Sequence, residues 1–124
     1  MKTKALNLIR ILLGLFMIVI GLNKFFVFIE IPHPPGSGGT LMDIYMESGF
    51  LKLVGVLEII GGIGLLLNQF TLIAVTVITA IMFNATVFHI LYDPKGIGPA
   101  LFSLLLCIVL VFTKKERPAS FLNT

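Results

Sequence analysis

Leu53-Val54-Gly55-Val56-Leu57-Glu58-Ile59-Ile60-Gly61-Gly62-Ile63-Gly64-Leu65 is an apolar run of helix length that holds one carboxylate and four glycines. A charged side chain at the centre of a bilayer costs about 3 kcal/mol on insertion scales, so Glu58 calls for a partner. Small residues such as these glycines let a second helix come close in lipid, where packing replaces the hydrophobic drive.

The run is one of four. Apolar segments cover residues 5–29, 50–67, 70–91 and 97–113. Each is close to the roughly 20 residues that a helix needs to cross about 30 Å of hydrocarbon. Their Leu, Ile and Val content would also suit buried strands, but their length and the absence of period-two alternation favour helices. No series of dyad-repeat strands supports a closed barrel. Composition agrees: 57% of residues are hydrophobic, 12% are charged, and the mean hydropathy is +1.07. A soluble domain carries about 25% charge. The expected fold is all-α, a membrane four-helix bundle forming a single transmembrane domain over residues 1–124.

The connections differ in kind. Residues 30–49 join the first two spans. Their first half, with Pro32, Pro34 and Pro35 followed by Gly36, Gly38 and Gly39, reads as turn. Thr40-x-x-Asp43 then resembles a capping box, and Gly49 a helix stop, so a short interfacial helix carrying Leu41, Met42, Tyr45 and Met46 is expected in this loop. Asn68-Gln69 is so short that spans two and three must form an antiparallel hairpin. Asp93-Pro94-Lys95-Gly96 joins spans three and four, and Pro99 suits the first turn of the last helix.

The net charge of +3 comes from nine basic residues, five of them (Lys2, Lys4, Lys114, Lys115 and Arg117) near the chain ends. That is an orientation signal rather than a basic face for nucleic acid. With four spans, the positive-inside rule places both termini in the cytoplasm and the two longer loops outside. The apolar run after Lys4 is too long for a signal-peptide core and reads as a retained span. The tail from Glu116 to Thr124 is expected to fray.

The polar positions inside the spans follow helical spacing. Arg10, Gly14, Met17, Gly21 and Lys24 lie on one face of the first span. Leu51, Gly55, Glu58, Gly62 and Leu65 form a matching face on the second, and Ala100, Ser103, Cys107 and Leu110 one on the fourth. All three are expected to turn inward. A rise of about 1.5 Å per residue puts Lys24, Glu58 and Asn84 in the outer half, with His89 near the outer end. Lys24 with Glu58 is the natural pair, and Asn23, Asn84 and His89 complete a candidate polar pocket. Arg10 is expected to snorkel at the cytoplasmic side. Asn84 and His89 are five residues apart, about 140° around a helix, so they cannot both point at one spot.

Two readings of this layer stand side by side. It is a structural link between helices, or a site for a proton, an ion or a polar head group. No self-sufficient catalytic constellation accompanies it. The single cysteine, Cys107, gives neither a disulfide nor a thiol relay. The two histidines, His33 and His89, have no metal-ligand spacing. Gly61-Gly62-x-Gly64 lacks the following Lys of a phosphate loop.

Arg10-x3-Gly14, Gly21-x2-Lys24 and Gly55-x2-Glu58-x2-Gly61, in this order within a four-span chain, resemble the DoxX family from about Leu6 to Phe112. The resemblance implies a four-helix integral membrane protein of a bacterial or archaeal plasma membrane, with Arg10, Lys24 and Glu58 as shared positions. It also implies an accessory place beside quinone-linked oxidoreductases, while distant relatives look like cargo receptors or assembly chaperones. The absence of a cysteine pair speaks against thiol exchange. The expectation is therefore a redox-linked accessory subunit that is not an enzyme on its own and has no intrinsic cofactor, its polar layer taking a quinone head group or relaying protons. Its partners would be the bilayer, a redox enzyme or another membrane protein, and a second copy of itself. The alternatives are a non-catalytic scaffold or assembly factor that works through its outer loop, and a small transporter.

Overall fold

The computed structural model describes residues 3–30 and 33–114 of the chain. Five α-helices follow one another, and no strand occurs among the described residues: α1 Thr3–Phe26, α2 Gly36–Glu47, α3 Phe50–Leu67, α4 Thr71–Tyr92 and α5 Ile97–Lys114. A 3-10 turn at Pro94–Gly96 precedes α5. The tail for which fraying is expected lies outside the described residues, as do Lys2, Pro32, Lys115 and Arg117.

Four of the helices, α1, α3, α4 and α5, are long and apolar enough to cross a membrane. They run alternately up and down and form a ring in which α1 packs on α3, α3 on α4, α4 on α5 and α5 back on α1. The α1–α3 and α4–α5 contacts are the most extensive. The three inward stripes read from the sequence meet at the ring's centre. Leu13, Met17, Leu65, Val75, Ile78 and Cys107 are fully enclosed there. The opposite faces expose large apolar side chains, Leu53, Ile60, Phe83, Leu105 and Phe112 among them, as a lipid-facing surface requires.

Two boundaries differ from expectation. α1 stops at Phe26 rather than at residue 29. Val27 turns left-handed with φ 47° after its N–H closes the last helical bond to the Asn23 carbonyl. The Asn23 side chain then clamps Ile29, accepting from its N–H at 2.7 Å and donating to its carbonyl at 3.0 Å. α2 begins at Gly36, four residues before the expected cap at Thr40, and Pro35 in extended conformation precedes it. Three glycines in a helix cost roughly 1 kcal/mol each relative to alanine, so packing must hold this turn. A methyl group at Gly38 would lie 2.7 Å from the Tyr92 Cβ, and Gly39 is closed in by Pro34 and His33. α2 is thus fitted against the end of α4.

The Asn68-Gln69 link forms the expected tight hairpin. Asn68 is left-handed (φ 55°), and the Gln69 N–H returns to the Gly64 carbonyl at 3.0 Å. The Thr71 hydroxyl fixes the turn by donating to Asn68 Oδ1 at 2.9 Å.

Candidate functional site

The α1–α3 contact is built on two reciprocal glycine pairs. A Cβ at Gly21 would lie 2.7 Å from the Gly55 carbonyl oxygen, and one at Gly55 would lie 3.0 Å from the Gly21 oxygen. Gly14 and Gly62 are related in the same way, at 2.9 and 2.6 Å. The two backbones therefore touch, a distance at which Cα–H groups point at carbonyl oxygens across the interface. Residues on these faces meet because nothing on the glycines holds the helices apart.

A polar contact closes each end of this seam. One turn beyond Gly21, Lys24 Nζ donates to Glu58 Oε1 at 2.8 Å. The Glu58 side chain is 1% exposed and that of Lys24 is 17% exposed. Because α1 ends at Phe26, Lys24 sits in the last turn, where a cation also favours the helix dipole. It reaches inward to a carboxylate roughly 12 Å from the start of α3. At the other end, Arg10 does not snorkel. Its guanidinium is buried, donates to the Leu65 carbonyl and lies 3.4 Å from the Leu66 carbonyl. These carbonyls belong to the last turn of α3, where the regular helical donors run out and the Leu65 carbonyl is otherwise reached by the Asn68 N–H at 3.3 Å. Arg10 thereby caps α3, and its charge faces the negative end of that helix.

The other residues of the candidate pocket go elsewhere. Asn23 is buried but spends its amide on Ile29. Asn84 is exposed on the outward face of α4 and donates to the Ala80 carbonyl of its own helix at 3.1 Å. His89 faces Asp93, with Nδ1 3.4 Å from the Asp93 carboxylate and 3.2 Å from its carbonyl. The structure thus joins Lys24 to Glu58 and leaves Asn23, Asn84 and His89 outside that contact.

Further polar contacts were not legible in the sequence. His33 Nε2 lies 3.0 Å from Asp43 Oδ1 at the exposed edge of α2, a pairing between loop and helix that no spacing rule announces. Ser103, fully enclosed on α5, has no partner for its hydroxyl among the described residues. Among those residues no three His, Cys, Asp or Glu side chains gather as a metal set. The arrangement can lock two helices and present one partly covered ammonium. Among the described residues one of that ammonium's three donors is engaged, by Glu58.

The DoxX family model matches residues 5–90, which include both glycine pairs, Arg10, Lys24 and Glu58. No curated protein and no solved structure matches the chain.

Proposed function

The chain belongs to the DoxX family and is a multi-pass membrane protein, and from that premise we propose that it is an accessory subunit without catalytic machinery of its own. The single observation that carries this reading is the Lys24–Glu58 contact. A carboxylate with 1% exposure, engaged at 2.8 Å by an ammonium from the neighbouring helix, works as a clasp between α1 and α3. The system served is a quinone- or redox-linked oxidoreductase of a prokaryotic plasma membrane, a choice that rests on the family resemblance. The end carrying both termini faces the cytoplasm, as Lys2, Lys4, Lys114, Lys115 and Arg117 favour.

The test is purification of the tagged chain from its native membrane in a mild detergent. Subunits of a redox enzyme should accompany it, and Glu58→Gln should lower the yield of intact complex while leaving turnover per complex unchanged. Isolation without any redox enzyme, or an equal yield with lost turnover, would count against the proposal.

A second reading is favoured by one observation, the 17% exposure of Lys24 with two ammonium donors to spare among the described residues. A quinone carbonyl approaching from the α2 end would find a hydrogen-bond donor there. Asn23 is engaged by Ile29 and Asn84 projects from the exposed face of α4, so Lys24 alone would hold the head group. Quinone binding to the purified chain that is lost in Lys24→Met and kept in Asn84→Leu would support this reading.

A further inference from the structure

Asn84 is out of place where it stands. α4 spans 22 residues, about 33 Å, and Asn84 lies eight residues from its Tyr92 end, about 12 Å inside the span. It projects from the exposed face of the helix, toward hydrocarbon. The side chain is too short to carry its polar atoms to the head groups, as a lysine or arginine stem would. An amide has two N–H donors and a carbonyl acceptor. Among the described residues one donor is met, by the Ala80 carbonyl at 3.1 Å. One N–H and the Oδ1 acceptor remain, at a depth where lipid chains offer neither a donor nor an acceptor. The hydroxyls of Thr76, Thr79 and Thr86 on the same helix return to the carbonyls of Leu72, Val75 and Met82. The Asn84 amide differs from these hydroxyls in keeping one donor unmet among the described residues.

We propose that two copies of this chain pair in the membrane along the outward face of α4, each Asn84 amide donating to the Asn84 carbonyl of the other copy. The occupant follows from symmetry and depth. Copies inserted in the same orientation are related by a two-fold axis along the membrane normal, which sets like residues opposite one another at equal depth. One spare donor and one spare acceptor per copy then satisfy each other reciprocally. Exposed Thr76 and Ala80, two turns and one turn away, are small enough for the backbones to approach. No Asp, Glu, Lys or Arg lies anywhere between Thr71 and Tyr92, so this face carries no like charges to repel a copy of itself.

The full chain, fused to donor or acceptor fluorescent proteins, is reconstituted into liposomes at falling protein-to-lipid ratios. Energy transfer should persist on dilution for the wild type and for Asn84→Gln, whereas Asn84→Leu should need roughly tenfold more protein per lipid for the same transfer. In a Cys107→Ala background, Ala80→Cys should form an oxidative dimer, and Leu105→Cys on the lipid face of α5 should not. Coincident dilution curves for the wild type and Asn84→Leu would overturn the proposal, and so would random-level transfer in the wild type. A dimer through Leu105→Cys alone would equally overturn it by placing the contact on another helix.

Discussion

Lys24 and Glu58 share one contact but stand in different surroundings, so removing either leaves a different orphan. Lys24→Met strands a carboxylate with 1% exposure that cannot reach water, for a loss on the order of 3 kcal/mol. Glu58→Gln leaves an ammonium on a flexible stem in the last turn of α1, able to swing toward the head groups, for a loss of about 1 kcal/mol. The expected order is Lys24→Met below Glu58→Gln, with Lys24→Met/Glu58→Leu recovering most of the deficit. Cys107, the single cysteine and fully buried, provides the measurement, since a thiol-reactive dye will report unfolding on heating. Equal losses, or a double variant no better than Lys24→Met, would argue against the clasp. Arg10→Met should cost about 1–2 kcal/mol in the same assay by removing the charged donor from the Leu65 and Leu66 carbonyls at the end of α3, and Arg10→Lys should recover part of it. The sequence alone suggested snorkelling for Arg10, because a long cation near a helix end has that option by default. The missing information was which carbonyls lay opposite. It was partly present: Gly14 and Gly21 are seven residues apart, as are Gly55 and Gly62, and an antiparallel register that matches these pairs carries Arg10 to the Leu65–Leu66 turn.

At the scale of elements, the α1–α3 seam tolerates no side chain at its glycines. A methyl group at Gly62 would stand 2.6 Å from the Gly14 carbonyl and 2.8 Å from Ile18, so two rigid helices would have to part. Gly62→Ala should therefore cost roughly 2 kcal/mol, as overpacking does in a tight core. Gly98→Ala, where nothing lies within 4 Å, should be neutral or stabilising by up to about 1 kcal/mol through helix propensity. Thermal unfolding of the two variants side by side separates a packing role from a general cost of substituting glycine, and matching shifts would sink the seam argument. The same contrast explains which elements were legible. The faces bearing Gly14, Gly55 and Cys107 announced themselves by three- and four-residue spacing, which depends on one helix alone. The start of α2 did not, because Gly38 and Gly39 are helical only by virtue of fitting against Tyr92, His33 and Pro34. The end of α1 depends likewise on Asn23 reaching forward six residues to Ile29. In both places a contact made through folding overrides local propensity, and no periodicity encodes it.

For the molecule as a whole, the all-α four-helix class was legible because span length and apolar content follow from bilayer thickness. The polar layer was legible only in part. Depth along a helix follows from residue count, but direction around it does not, so Asn84 and Glu58 share a half of the bundle and face opposite ways. Even numbering of spans has a further consequence. The starts of α1 and α4 and the ends of α3 and α5 lie at one end of the ring, with α2 and the Pro94–Gly96 turn at the other. Lys4 belongs to the first end, while Ser37, on the first turn of α2, and Lys95 belong to the second, and all three are exposed. If the basic chain ends face the cytoplasm, a membrane-impermeant maleimide added to intact cells should label Ser37→Cys and Lys95→Cys in a Cys107→Ala background. Lys4→Cys should stay unlabelled until the membrane is opened. Labelling of Lys4→Cys alone from outside would invert the orientation, and would move the partly covered Lys24 ammonium to the cytoplasmic side. Labelling of Lys4→Cys and Ser37→Cys together would contradict a bundle in which α1 crosses the membrane, since 33 residues separate them across a single span.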